Sequence, residues 1–306
     1  MKHKIVKLPN GKLVRQQQDD LLSVITDIDV LAAAAFTYDN SIESASTPIP
    51  MNSSYNTGEN RNPQRLAGHD IVIIGAGAIG SYSAFFLAPA QINIHLIDFK
   101  KVQFKHTQAG RTIYDGSLIG LYKVNAAKLK IESSFPGTKV IPLPYNIDEI
   151  PDIELQRLFS RSILVLLAFD DPAQLIRINK LAYPVVDFIQ AAMHTAGLSG
   201  HIVISIPLVT PCLSCTLDIK RAEDIQRLDS EPANSWDIIN VAQQTARIAI
   251  EIMYSKVTCS DITRWDTSKN LIYIANTKQQ LSPDGPGLIY ENSQRRPGCP
   301  VCNSPP

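Results

Sequence analysis

Asp70-Ile71-Val72-Ile73-Ile74-Gly75-Ala76-Gly77-Ala78-Ile79-Gly80 is the stretch on which the fold of this 306-residue chain turns. Ile71 to Ile74 is a short continuous apolar run, the mark of a strand buried in a parallel sheet. Glycines in G-x-G-x-x-G spacing follow at once, and Ser81 to Ala90 then reads as a helix of small and aromatic residues. Such a motif is weak alone and becomes informative between a buried strand and a helix. Gly75 permits the tight turn, Gly77 lets backbone amides approach a phosphate, and Gly80 lets the helix pack close on the strand. The helix N-terminus favours an anion. Ile92 to Ile97 is a second apolar strand, closed by Asp98, and a carboxylate at that distance suits ribose hydroxyls. The stretch therefore predicts a nucleotide site. The motif alone does not separate a dinucleotide from ATP.

Downstream, strand and helix patterns alternate. Leu121 to Ser134 reads as a helix, Lys139 to Leu143 as a strand and Ser162 to Phe169 as a strongly apolar strand. Pro172 to Ala182 is helical, Tyr183 to Ala191 and His201 to Ile206 are strands, and Asp237 to Ser255 is a long amphipathic helix. That alternation predicts an α/β fold with a Rossmann-like, mainly parallel sheet and flanking helices. Upstream the character differs. Ile5 to Val14 suits a hairpin turning at Asn10-Gly11. Asp20 to Phe36 carries apolar residues at helical spacing. Thr37 to Arg65 is rich in Ser, Asn, Pro and Gly, as a linker is. The expected organisation is a small appendage over 1–36, an irregular arm over 37–67 and a nucleotide-binding domain over 68–306.

Apolar residues make up 44% of the chain and charged residues 19%, with a formal net charge of zero. This balance gives no footprint for nucleic acid or an anionic membrane. No apolar stretch approaches a bilayer span, and the N-terminus lacks a signal core, so a cytoplasmic protein is expected.

Four of the five cysteines form two Cys-x-x-Cys pairs, Cys212/Cys215 and Cys299/Cys302. Each pair presents two thiolates from one turn, and together they suffice to close a tetrahedral zinc shell. A closed four-sulfur shell leaves no open position, so the expected role is structural. The alternative of a redox pair would place Cys-x-x-Cys at the start of a helix in a thioredoxin-like unit, which neither pair does. Cys259, which follows the long helix, reads as a packed or surface thiol.

A glycine loop, an acidic strand end, an Arg and a Lys, a further Asp and two late Cys-x-x-Cys pairs occur here in that order. Over about residues 65–302 the chain resembles the ThiF/MoeB/ubiquitin-activating superfamily. Adenylating members have an Arg after the acidic strand, then a Gly and a Lys opening a helix. This sequence offers Arg111 and then Gly120-Leu121-Tyr122-Lys123. The Asp that closes the next strand corresponds to Asp170, and the stretch from Asp171-Pro172 onward looks most like the branch that adenylates microcin-type peptides. Trp236 to Asn240 resembles the helix after that branch's first zinc knuckle.

The resemblance implies ATP as cofactor, with Arg111 and Lys123 neutralising its phosphates, Asp170 holding Mg²⁺ and Asp98 binding the ribose. It implies a peptide or small-protein substrate, a homodimer, and Arg61 or Arg65 as candidates to act across it. It also implies that residues 1–36 are a reduced peptide-binding module. Acidic caps and surface charges are the plain alternatives: Asp170 and Asp171 stand just before Pro172, as helix caps do.

Two departures matter. Where many members carry a second acid two positions after the first, this chain has Lys100, and the usual Asn-Leu-x-Arg-Gln segment is replaced by Gln108-Ala109-Gly110-Arg111-Thr112. Members that form a thioester carry a Cys between the zinc knuckles, and Thr216 to Ser255 has none. The expectation is adenylation of a peptide carboxylate with no thioester step. The alternatives are a non-catalytic peptide-binding partner of another enzyme and an activator of a sulfur carrier ending in Gly-Gly. A dehydrogenase is weaker, because no catalytic His or Tyr constellation stands out.

Overall fold

The computed structural model describes residues 4–7, 13–16, 22–24, 63–108, 110–219, 233–259, 268–278 and 282–302. The chain divides into two compact units, Met1–Asn60 and Arg61–Pro306.

In the first unit β1 (Lys4–Lys7) pairs antiparallel with β2 (Leu13–Gln16), with Lys7 opposite Leu13. The predicted hairpin strands are present, and the predicted Asn10-Gly11 turn lies outside the described residues. β3 (Leu22–Val24) pairs antiparallel with β2, so the helix expected to begin at Asp20 is corrected there to strand. Leu22 and Val24 suit either spacing over so short a run, and the open edge of β2 supplies the backbone partners that decide it. Residues 25–36 lie outside the described part.

The second unit is built on an eight-stranded sheet. It comprises β4 (Asp70–Ile74), β5 (Asn93–Ile97), β6 (Lys139–Leu143), β7 (Leu164–Leu167), β8 (Phe188–Met193), β9 (Ser199–Ser205), β10 (Leu271–Ala275) and β11 (Gly287–Glu291). Their spatial order is β11-β10-β9-β8-β7-β4-β5-β6. Strands β6, β5, β4, β7 and β8 run parallel, and β9 to β11 extend the sheet antiparallel. The strand expected over Tyr183 to Ala191 begins only at Phe188, because the turn after Ala182 occupies the first residues.

Burial alternates along the central strands. Ile71, Ile73, Leu164 and Leu166 face a core shared with α1 (Ala78–Leu87), α3 (Lys123–Ser134) and α7 (Ser235–Thr258). Val72, Ile74, Val165 and Leu167 face a second core with α4 (Asp152–Arg161), α5 (Pro172–Ala182) and the one-turn α6 (Leu213–Thr216). Another one-turn helix, α2 (Phe104–Thr107), follows β5. Both faces are thus covered, which is why these strands are apolar throughout. The order reverses at β4, whose neighbours are β5 on one side and β7 on the other. Ligands bind outside the carboxyl ends of strands at such a switch point. Among the described residues, no helix is long and apolar enough to cross a membrane.

Candidate nucleotide site and metal cluster

The glycine loop sits at that switch point. Gly75 takes φ +97°, and a Cβ there would strike the Ala168 carbonyl at the end of β7. A Cβ on Gly80 would strike the Gly75 carbonyl and press on Ala168 Cβ at 3.1 Å. These two glycines let helix, loop and neighbouring strand approach each other. Gly77 differs: a Cβ there would meet nothing within 4 Å, and the residue lines a cavity of about 840 Å³.

Side-chain bonds hold the loop and the turn after β5. Asp98 Oδ2 accepts from Ala76 N at 2.9 Å, and the buried Tyr114 hydroxyl donates to Ala76 O at 2.8 Å. Asp98 Oδ1 accepts from Lys100 N at 2.7 Å. Asp98, expected from sequence to meet a ribose, therefore first braces the loop and the turn after β5. Each of its oxygens retains a second lone pair.

The same cavity is lined by Arg111, Lys123 and Asp170. Gly120, at φ +91°, turns the chain into α3, and Lys123 is the first residue of that helix, only 5% exposed. Burial lowers the Lys123 pKa, Asp98 opposes that shift, and Lys100, Lys105 and Arg111 reinforce it. The segment carrying Arg111 is tied to α1 by the Tyr82 hydroxyl, which donates to Gly110 O at 2.6 Å. Asp171 caps α5, its carboxylate accepting from Gln174 N at 3.1 Å. Asp170, one residue earlier, is exposed on the cavity wall. The capping alternative thus applies to Asp171.

Cations dominate this wall. Lys100, Lys101, Lys105, Arg111 and Lys123 line the cavity, against Asp170 and Asp218. His106 joins them as a neutral group: burial, then Lys123, Lys105 and Arg111, lower its pKa to about 4. Its Nδ1 accepts from Gln103 N at 2.8 Å. Free N–H groups at the start of α1 and a cluster of cations form a receptor for a polyanion. Arg65 is exposed, and Arg61 lies outside the described residues.

The inner wall of the cavity carries groups that the sequence did not flag. Gln190, His194 and His201 line it, joined by hydrogen bonds across β8 and β9. Nothing in the local sequence marks them, because their meeting depends on strand register. Apolar Met193, Leu217, Ile219 and Ile238 complete that wall.

The four cysteines meet in the second core, beside α4, α5 and α6. The ligand sulfurs of Cys212, Cys215, Cys299 and Cys302 all lie within 4.8 Å of one another, and all four residues are buried. Cys212 and Cys299 are 3.7 Å apart at sulfur, and Cys215 and Cys302 3.6 Å. A disulfide is only about 2.05 Å long. The observed separations match the edge of a tetrahedron with metal–sulfur bonds of about 2.3 Å. Burial pushes the Cys212 thiol up, so a thiolate there requires a cation. The donor set is compatible with zinc. Cys259 is exposed just beyond α7, away from both sites.

Among solved structures, E. coli MccB with ATP superposes with a TM-score of 0.60 at 21% identity, covering 78% of this chain and 68% of that one. The microcin C7 biosynthetic enzyme MccB in complex with N-formylated MccA gives 0.60 at 19% identity, over 78% and 69%. PaaA gives 0.56 at 14% identity over 95% of this chain and 99% of that one. At these identities the likeness concerns the fold. No curated protein matches the sequence significantly. The ThiF family model matches residues 54–282, most of the chain and all of the cavity-lining segment from Gly77 to Ile238, and the chain belongs to the ThiF family.

Proposed function

We propose that this protein is an ATP-dependent adenylating enzyme that acts on a carboxylate of a ribosomally made peptide and forms no thioester. The observation that carries the reading is the convergence of Gly77, Arg111, Lys123 and Asp170 on one cavity. These groups are far apart in sequence, and surface charges or helix caps would have no reason to converge. The solved relatives supply the substrate class by analogy, since MccB has been crystallised with ATP and with the peptide MccA.

In this reading the α1 N-terminus, Arg111 and Lys123 hold the phosphates. Asp170 holds Mg²⁺, which would supply further charge neutralisation at the phosphates. A peptide carboxylate oxygen attacks the α-phosphorus, the bond to the β-phosphate breaks, and pyrophosphate leaves with the electron pair. No proton moves, because the nucleophile is already ionised, so catalysis rests on positioning and electrostatics. The absence of a thioester step is supported by cysteine placement. Four of the five cysteines form the buried cluster, and Cys259 does not line the cavity.

The test is ATP–pyrophosphate exchange driven by synthetic peptides copied from any short reading frame found beside the gene. Exchange with one peptide, lost on Lys123→Ala and Asp170→Ala, is expected. Tight peptide binding without ATP binding would instead mark a peptide-delivering partner. Exchange only with a small carrier ending in Gly-Gly would mark a sulfur-carrier activator.

A further inference from the structure

The adenylation reading uses the outer part of the cavity and leaves its inner wall without a role. Four polar side chains there form one chain of hydrogen bonds. His194 Nδ1 lies 2.8 Å from Ser199 Oγ, His194 Nε2 lies 2.8 Å from His201 Nδ1, and His201 Nε2 lies 2.9 Å from Gln190 Oε1. Gln190 is 1% exposed. Its amide oxygen can only accept, so His201 Nε2 carries the proton. His201 Nδ1 is then an acceptor, His194 Nε2 must donate to it, and His194 Nδ1 accepts from the Ser199 hydroxyl. Every ring nitrogen is satisfied with both rings neutral. Burial agrees, lowering His201 from its ordinary 6.5 to about 3, with His194 adding to the shift, and lowering His194 itself.

One group is left over. The Gln190 amide nitrogen has no hydrogen-bond partner among the described residues, yet its residue lines the cavity. Among the described residues the one fully buried side-chain polar atom without a partner is Ser205 Oγ, so the Gln190 amide nitrogen reaches the cavity and can donate to a ligand there. Its place is defined by strand register. Gln190 pairs with Leu167, and Leu167 with Ile74, the residue before Gly75. Two strand spacings of about 4.8 Å put Gln190 about 10 Å from the glycine loop along the sheet edge. That is the inward side of the phosphate cradle, where the acyl half of an acyl-adenylate would extend.

We infer that the Gln190 amide N–H₂, held in orientation by the Ser199–His194–His201 chain, binds the acyl oxygen of the carboxylate that is adenylated. The inference rests on the adenylation reading and extends it to the second substrate. One carboxylate oxygen attacks the α-phosphorus while Gln190 donates to the other, which becomes the carbonyl oxygen of the acyl-adenylate. His194 and His201 are positioning residues that fix which end of the amide faces the cavity. Met193, Leu217, Ile219 and Ile238 then select a carboxylate flanked by small or apolar groups, since among the described residues the inner wall offers no cation to a second charge.

Two measurements on the full-length protein test this. The first is peptide-dependent ATP–pyrophosphate exchange, with the flanking-frame peptides, on Gln190→Ala and Gln190→Leu. Loss of an oriented donor predicts a drop of roughly a hundredfold in kcat/KM for peptide, with the KM for ATP held within about twofold. The second is the ¹⁵N–¹H long-range spectrum of histidine-labelled protein, in which His201 should show Nε2 protonated and Nδ1 bare. Unaltered exchange in both variants overturns the inference while leaving adenylation intact. So does an equal loss of ATP and peptide recognition, or a His201 protonated at Nδ1, which would turn the amide oxygen toward the cavity. A wild-type protein that shows no exchange removes the adenylation reading and this inference together.

Discussion

Lys123, only 5% exposed at the first position of a helix, turns its ammonium to the cavity with no hydrogen bond or ion pair among the described residues. Burying an unpaired charge costs stability, so such a group is kept for a ligand. Lys123→Met should therefore leave the melting temperature unchanged or raise it, while lowering exchange about a hundredfold or more. Calorimetry and the exchange assay together decide the point, and a melting temperature that fell by several degrees with activity intact would sink it. The neighbouring acids separate structure from function in the same way. Asp171→Ala removes a helix cap and should cost about 1 kcal/mol of stability. Asp170→Ala should leave stability alone and abolish the Mg²⁺-dependent stabilisation by ATP. Arg111, Lys123 and Asp170 were picked out in sequence through the family resemblance, by their order around the glycine loop. Which of the two adjacent aspartates caps and which faces the cavity was not, since that is fixed by the turn between β7 and α5.

At the scale of elements, the β4–loop–α1 unit was readable because its chemistry is local: a glycine is required wherever a Cβ would meet backbone. The structure sorts the three glycines by that rule. Gly80→Ala must push a Cβ into the Gly75 carbonyl, so a loss of at least about 1–3 kcal/mol is expected. Gly77→Ala finds open space, so the fold should survive while nucleotide-induced stabilisation weakens, a contrast that thermal melts with and without ATP would show. The β8–β9 pair is the opposite case. Gln190, His194, Ser199 and His201 lie within twelve residues, yet only the register that sets Ala192 opposite His201 brings their side chains into one chain. No periodicity encodes that. The pair also gives a pH dependence. His201 has its pKa depressed to about 3, so the unfolded chain binds a proton there that the native chain refuses. Native stability is full above about pH 6.5 and declines as pH falls toward about 3. Between about pH 6.5 and 5, before carboxylates titrate, denaturant melts of His201→Asn should show a shallower decline than the wild type. An unchanged slope would mean that His201 is accessible to protons in the native state.

For the whole molecule, the four-cysteine cluster closes the chain on itself. The Cys212/Cys299 and Cys215/Cys302 pairs each span 87 residues, which encompass α7, β10 and β11. The cluster belongs to the core formed by Leu155, Phe159, Leu175 and Ile178. It is also bonded to the helix that leads from the cavity at the glycine loop. Asn179 of α5 donates to Ser214 Oγ at 2.9 Å and accepts from Leu213 N at 3.1 Å, so both of its amide groups grip the first knuckle. Asp170 and Asp171 stand at the other end of that helix. Metal loss should therefore do more than unpin the C-terminal segment. Four buried thiols left without a cation would be re-protonated, the knuckles would open, and α5 would lose the anchor that sets the height of Asp170. The expected outcome is one zinc per chain by elemental analysis, and its removal by a strong chelator should lower the melting temperature by many degrees. At a temperature where the apo-protein remains folded, ATP-induced stabilisation should also shrink, and Asn179→Leu should reproduce that shrinkage with the zinc still bound. Zinc removal that lowered stability while ATP binding stayed whole would show that the cysteine cluster and the cavity are independent. Unaltered stability after complete removal would show that the sulfurs pack as thiols and hold no structural ion.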